Sequence, residues 1–286
     1  MSNWKTSAKV IADSISPDGK RLTSLQVESH RFVLAEFNTH RAFSRNSASS
    51  RAIPYRKMRS KALEQTAFPV VWPAEQKGMQ GGEELDNQIQ QQAREIWELG
   101  MMSAVNKADQ LHSLGVHKSV INRLLEPFIP HTLLITATEW QGFFDQRCHP
   151  DAQPEIRVAA EAMQKAIQES EPAELDYTEW HMPYITPQDW FEVDNRFDPE
   201  FVDWFNLDGP IGVLKAISAA RSARVSYLTQ ENTRDIMEDV KLFFRLRDHV
   251  PAHASPFEHV ATPKGISSTY TSNFVGWIQY RSMLNL

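Results

Sequence analysis

Two short β-prone runs, Lys9 to Ile15 and Arg21 to Val27, flank Ser16-Pro17-Asp18-Gly19, a strong turn signal, and together they predict a hairpin. Phe32, Val33, Leu34, Ala35 and Phe37 then form an apolar segment that predicts a short helix ending at Thr39. Residues 61–82 hold two prolines and three glycines with little periodicity and predict a long loop, which Phe68, Val70, Val71 and Trp72 require to pack on something. Leu85, Ile89, Ala93, Ile96, Trp97, Ala104, Ala108 and Leu111 keep helical spacing, with Gly115 as the C-cap. A shorter helix is expected from Lys118 to Leu125, stopping before Pro127. Another starts at Asp151 and Pro154, with Ile156, Ala160, Met163 and Ile167 on one stripe. Residues 171–210, rich in Pro, Asp, Glu and Trp, read as an irregular crossing segment. Pro210 opens a helix through Arg221, and Asn232 or Thr233 caps one carrying Ile236, Val240 and Phe244. Gly265 to Tyr270 is expected to be extended, followed by a final segment from Phe274 to Leu284. No internal repeat is evident. The class is α+β, helix-rich, with a mixed or antiparallel sheet.

Composition narrows this little. At 286 residues the chain makes one large domain or two small ones, and 41% hydrophobic with 23% charged residues is ordinary for a soluble protein. No apolar run spans a bilayer and no export-type segment opens the chain, so a cytoplasmic protein without membrane contact is expected. The single cysteine, Cys148, allows no internal disulfide. Charge is more informative. The net charge is −6, yet residues 1–60 carry eleven Lys/Arg against four Asp/Glu. An acidic protein with one basic segment is a poor nucleic-acid binder and a reasonable binder of a small phosphate.

That basic segment contains Thr39-His40-Arg41-Ala42-Phe43-Ser44-Arg45-Asn46-Ser47-Ala48-Ser49-Ser50-Arg51, which has three arginines, four serines and no acid. Arginine offers a planar fork of donors to phosphate, and serines add single hydrogen bonds. Composition alone leaves a solvated Ser-rich surface loop equally open. The spacing His-Arg-x2-Ser-x-Asn-x2-Ser-x-Arg resembles the signature of the flavin-dependent thymidylate synthases. Four more segments resemble that family: Gly115 to Pro127 with Arg123; Arg147 followed by Ala152-Gln153-Pro154-Glu155-Ile156; Ala223-Arg224-Val225-Ser226-Tyr227; and His253-Ala254-Ser255-Pro256-Phe257-Glu258-His259. Their order is permuted, because the last two blocks come first in the family.

Three positions depart from the family pattern. Glu36 stands where the family has a glutamine, Thr39 where it has arginine, and Ser47 where it has glutamate. Gln279 and Arg281, which follow the Ser-Pro-Phe-Glu-His block, are expected to supply the missing donors; an exposed helix carrying Gln and Arg is the plainer alternative. His253 and His259 around Glu258 lack a third ligand for a metal site. Cys148 reads as a bystander, no glycine-rich dinucleotide loop follows a strand, and Ser49 has no triad partners.

The resemblance implies one thymidylate synthase-like domain over 1–286, in three parts: an arginine-motif half at 1–170, the crossing segment at 171–210 and a flavin-block half at 211–286. It implies reductive methylation of dUMP to dTMP, or a close variant on a deoxypyrimidine monophosphate. FAD would be the cofactor, with methylenetetrahydrofolate and NADPH as co-substrates, in a homotetramer. His40, Arg41, Asn46, Ser226, His253, Ser255 and Glu258 would face the flavin. Ser49, Ser50, Arg51, Arg123, Arg147, Gln279 and Arg281 would face the nucleotide, with Arg147 orienting the base and no protein residue acting as the nucleophile. Two rivals are a non-catalytic nucleotide-binding relative and an enzyme making a modified, for example hydroxymethylated, nucleotide.

Overall fold

The computed structural model describes residues 4–196, 207–229, 235–265 and 270–286. The hairpin forms as expected. β1 (Ser7–Ile15) and β2 (Arg21–His30) pair antiparallel, and Gly19 takes a φ of +74° in the turn, where a side chain would be strained. A 3-10 turn leads into α1 (Leu34–Thr39), then β3 (Ser44–Ser47), so the middle of the basic segment is a strand rather than a loop.

α2 (Tyr55–Glu64) takes the first residues of the stretch expected to be a loop, burying Tyr55, Met58 and Ala62. The remainder packs on α3 (Asn87–Ser113): Arg94 lies over the Phe68 ring, Trp72 meets Trp97 edge-on, and Trp97 Nε1 donates to the Ala67 carbonyl. Asp86 caps α3, and Gly115 follows it at φ +78°. α4 (Lys118–Ile121) starts where expected and ends one turn short of the expected Leu125. The chain tightens into 3-10 turns from Asn122 to Phe128, because Pro127 has no N–H for a helical ladder.

The sequence reading also lacks a central strand, β4 (Pro130–Ala137), all eight residues of which are buried. It sits between β3 and β2 in a five-stranded sheet of order β3-β4-β2-β1-β5, where β5 (Ala173–Glu174) runs parallel to β1 and the other pairs are antiparallel. α5 (Gln141–Arg147) and α6 (Pro154–Gln168) cover one face. There Phe143, Ile156, Ala160 and Met163 pack on Leu25, Val27, Leu133 and Ile135.

The crossing segment is less irregular than its composition suggests, since it holds β5 and α7 (Pro187–Arg196). α8 (Gly209–Arg224) runs one turn beyond the expected end, and α9 (Ile236–Arg247) is capped by Asp235, whose side chain accepts from the Met237 N–H. The expected caps Asn232 and Thr233, and the extended stretch after Gly265 up to residue 269, lie outside the described residues. β6 (Ala261–Pro263) pairs with Trp277–Gln279 in the last segment. Helices α8 and α9 build a separate core, with Ile217, Ala220, Val240, Phe243 and Phe257 at its centre.

The later part of the chain meets the sheet through a small apolar cluster of Leu22, Ala261, Phe274 and Trp277 and, beside it, through polar contacts. Ser44, Thr136 and Ser24 lie side by side across β3, β4 and β2, and the buried rings of His181 and His259 bond to this row. A second polar lock holds the helices. Arg221 is 3% exposed, donates to both carboxylate oxygens of Asp189 and to Asp239, and reaches the Tyr184 carbonyl. Arg224 takes the other oxygen of Asp239 at 2.7 Å. Removing one member of such a buried set strands the remaining charges, at a cost of about 3–5 kcal/mol. Arg221→Met is therefore expected to lower the unfolding free energy by about that amount in urea titrations; a loss below about 1 kcal/mol would show that the lock carries little stability.

Candidate functional site

The site grows outward from β3, an edge strand with a different neighbour on each side. Ser44 and Asn46 turn to the second core. Ser44 Oγ lies 3.0 Å from Gln279 Nε2 and 3.1 Å from Asn273 Nδ2, and Asn46 Nδ2 donates to the Ser222 carbonyl at 3.1 Å. Arg45 bends back on its own turn, donating to the carbonyls of Phe37 and His40 at 2.7 and 3.0 Å. Its charge shapes the Thr39–Phe43 turn that a simple sequence reading would assign to an anion. Burial lowers the Arg45 pKa, and Glu258 acts in the opposite direction. Glu258 itself pairs with Arg281, so this carboxylate has two cations for neighbours.

Before β3, Arg147 reaches from the end of α5 and donates to His40 Nε2 at 3.0 Å and to Thr39 Oγ1 at 3.3 Å. The threonine that departs from the family pattern thus has an arginine beside it, brought from another helix. The His40 ring stands edge-on to Phe143. Burial, then the Arg147 and Arg45 cations, push its pKa down to about 4, so the imidazole is a neutral acceptor for Arg147.

After β3, the Ser49 N–H donates to the Ser226 carbonyl, which fastens the Ala-Arg-Val-Ser-Tyr block to the arginine motif. The Ser50 carbonyl accepts from Asn122 Nδ2, while Arg123 turns to Glu126 at 2.8 Å. Three basic residues here carry no motif signal. Arg31 donates to the Ala48 carbonyl and to His131 and pairs with Glu126; Lys57 donates to the Leu228 carbonyl; Lys61 lies 3.6 Å from Glu28. The basic balance of residues 1–60 pointed to Arg31 and Lys57, and Lys61 lies just beyond that stretch.

Seven of the residues expected at a site therefore touch β3 or its flanks: His40, Asn46, Ser49, Ser50, Arg147, Ser226 and Gln279. Glu258 and Arg281 stand together beside Arg45. The two tail residues expected to grip phosphate are engaged inside the protein. Gln279 is 1% exposed with its amide on Ser44 and Asn273, and Arg281 holds Glu258 and the Leu286 carbonyl. Arg41, Arg51 and Ser255 are exposed with no side-chain hydrogen bond among the described residues, and His253 packs against His249. Cys148 is partly buried, and burial, then Glu161 and Asp145, raise its thiol pKa. Among the described residues no three His, Cys, Asp or Glu side chains are grouped to hold a metal ion, and no helix is long and apolar enough to cross a membrane.

Residues 22–173, just over half of the chain, match the family described as thymidylate synthase complementing protein. The chain belongs to that family. The matched stretch runs from β2 to the start of β5, and so includes the whole arginine motif, Arg123 and Arg147, and excludes the Ala-Arg-Val-Ser-Tyr and Ser-Pro-Phe-Glu-His blocks. Among solved structures the chain is similar to a UMP/dUMP methylase, PolB from Streptomyces cacaoi. With 5-Br dUMP bound, that structure gives a TM-score of 0.48 at 15% identity, covering 58% of this chain and 90% of that one. With 5-Br UMP bound the values are 0.48 and 14%, covering 58% and 89%. No curated protein matches.

The pH response follows from five histidines whose folded pKa lies below the ordinary 6.5, His30, His40, His131, His181 and His259, each lowered chiefly by burial. His40 falls to about 4, and burial brings His181 and His259 to about 3. Above about pH 6.5 they are neutral in both states, and their environments cost nothing in proton linkage. As the pH falls below that value the unfolded chain takes up protons that the folded protein refuses, so stability drops until the folded pKa values are reached. Urea midpoints are expected to decline from pH 6.5 toward pH 3, and His40→Gln to flatten the upper part of the decline. A midpoint independent of pH over this range would contradict these neutral environments.

Proposed function

We propose that this protein is a flavin-dependent pyrimidine nucleotide methylase that converts dUMP, or a related deoxypyrimidine monophosphate, to its 5-methyl product. The observation that carries the reading is convergence on β3. The arginine motif lies in the family-matched half, and the Ala-Arg-Val-Ser-Tyr and Ser-Pro-Phe-Glu-His blocks arrive from about 180–220 residues later in the chain, yet Ser226, Ser222 and Glu258 meet the strand and its turn. A permuted order with the same blocks side by side supports one shared site. Bound FAD would supply the redox chemistry, methylenetetrahydrofolate the carbon and NADPH the reducing equivalents; the protein binds, orients and excludes water.

The residues fit a large heterocyclic cofactor with a phosphate-bearing partner. Arg41, His253 and Ser255 are exposed, Asn46 is anchored on the Ser222 carbonyl, and His259 Nε2 and Ser222 Oγ are buried polar atoms with no partner among the described residues. Arg51, after Ser49 and Ser50, is, like Arg41, exposed without a side-chain hydrogen bond among the described residues, and it would meet the nucleotide phosphate. Arg147, which donates to His40 and Thr39, would orient the base. Gln279 and Arg281 act on the site through Ser44 and Glu258, and Arg123 through Glu126. Exposed Ile89, Ile96, Leu99 and Met102 along α3 support self-association, in keeping with a homotetramer.

A second reading, a nucleotide-binding relative without catalysis, is favoured by the engagement of Gln279 and Arg281, which leaves the donors missing at Glu36 and Thr39 without a direct substitute. Colour separates the two. Purified protein is expected to bind FAD with a flavin spectrum, and Glu258→Ala to release most of it in equilibrium dialysis. Colourless protein that takes up no FAD leaves only the second reading.

The phosphate assignment has its own measurement. A charge-assisted hydrogen bond contributes about 1.5–3 kcal/mol, so Arg51→Ala is expected to weaken dUMP binding about ten- to a hundred-fold in calorimetry. Arg51→Lys recovers part of this, because an ammonium offers no parallel pair of donors. Unchanged affinity in Arg51→Ala would remove Arg51 from the site.

A further inference from the structure

A continuous chain of hydrogen bonds crosses the sheet beneath the second core. Ser14 Oγ lies 2.9 Å from His181 Nδ1, and His181 Nε2 lies 2.8 Å from Ser24 Oγ. Ser24 Oγ lies 2.6 Å from Thr136 Oγ1, which lies 2.8 Å from His259 Nδ1. Every member is at most 5% exposed. The chain ends at His259 Nε2, which has no partner among the described residues.

Proton counting gives this chain a direction. Ser24 and Thr136 each have one hydroxyl hydrogen and two neighbours, so each donates to one side and accepts from the other. Only two arrangements satisfy both. In the first, His181 Nε2–H donates to Ser24, Ser24 to Thr136 and Thr136 to His259 Nδ1, while Ser14 donates to His181 Nδ1. His259, being neutral, then carries its hydrogen on Nε2. In the second, every bond is reversed and His259 Nε2 is a bare lone pair. The reversed chain also turns the Ser14 hydrogen away from His181, its one side-chain partner among the described residues. The first arrangement leaves one unpaired group in place of two, and buried hydroxyls avoid losing an acceptor.

We propose that His181 is a positioning residue which, through Ser24 and Thr136, fixes His259 as the Nε2–H tautomer, so that His259 offers the site a hydrogen-bond donor. The group it suits is an acceptor on a heterocycle, a ring carbonyl oxygen or an unprotonated ring nitrogen, and it rejects an N–H at the same place. Ser222 Oγ, a second buried polar atom without a partner, sits on the turn of α8 that Asn46 reaches. Nothing in the family resemblance marks His181. It comes from the crossing segment, outside the matched residues. Identifying the heterocycle as FAD rests on the function proposed above, whereas the tautomer does not.

The test is a two-bond proton–nitrogen spectrum of protein labelled with 15N-histidine at pH 7.5, with His181→Gln and His259→Gln used to assign the rings. Both histidines are expected to be single Nε2–H tautomers, with their Nδ1 signals displaced as hydrogen-bond acceptors. Thr136→Val, which keeps volume and removes the hydroxyl, is expected to move His259 Nδ1 to the position of an unbonded nitrogen. His181→Leu is expected to add an Nδ1-protonated population of His259, and His181→Gln, whose amide can still donate to Ser24, to suppress it. Nδ1–H rings in the parent protein, or a His259 signal indifferent to both Thr136→Val and His181→Leu, would overturn the proposal. FAD added to the same sample should shift the Nε2–H proton of His259. Binding by absorbance without that shift removes the donor role, and absence of any binding defeats the proposed function while the tautomer stands on its spectrum.

Discussion

The structure depends on β3 being held from two sides. Its ladder to β4 is only four residues long, and a short edge strand has little to fix it. What pins it is the second core: the Gln279 and Asn273 amides on Ser44, the Ser222 carbonyl on Asn46, and the Ser226 carbonyl on the Ser49 N–H just beyond. These are buried polar contacts with specific geometry, so they set register as well as proximity. An apolar seam would tolerate sliding. The polar seam allows one alignment of the two halves, and that alignment brings the arginine motif to the Ser-Pro-Phe-Glu-His block.

Charge is used twice within this frame, for different ends. Arg45, Arg221, Arg224 and Arg31 are committed to carbonyls and carboxylates inside the protein and build shape. Arg41 and Arg51, from the same short motif as Arg45, stay exposed. Within the motif composition cannot tell the classes apart, because Arg41, Arg45 and Arg51 share one Ser-rich stretch. Position relative to β3 can: alternation within Ser44–Ser47 sends Ser44 and Asn46 to the second core and Arg45 back to the turn, whereas Arg41 and Arg51 lie outside the strand.

Much of the frame was legible in the chain. The hairpin announced itself through Pro17-Asp18-Gly19, α3 through its long apolar stripe, and α6 through Pro154. The elements that escaped did so for physical reasons. β4 is buried on both faces, so it shows no alternation, and Pro130, His131 and two threonines interrupt its apolar run. α2 buries only Tyr55, Met58 and Ala62, a stripe too narrow to stand out among the helix's four Lys/Arg residues. α7 is marked by a local signal in an otherwise irregular segment. Thr186 and Asp189 bond as a capping pair across Pro187. The site residues were legible as motifs, but their partners were not. His181, Arg31 and Lys61 lie in no motif, and Gln279, expected to face a ligand, is buried against Ser44 because β6 pairs with the tail segment and carries it inward.

If β3 gathers one site, a nucleotide and a flavin bound there must be neighbours. The most direct measurement is a titration of dUMP into FAD-loaded protein, followed by the visible flavin absorption. A saturable change in the flavin bands that is lost in Arg51→Ala is the result this account predicts. Binding of dUMP that leaves the flavin spectrum untouched, or that perturbs it equally in Arg51→Ala, would place the two ligands apart and contradict it.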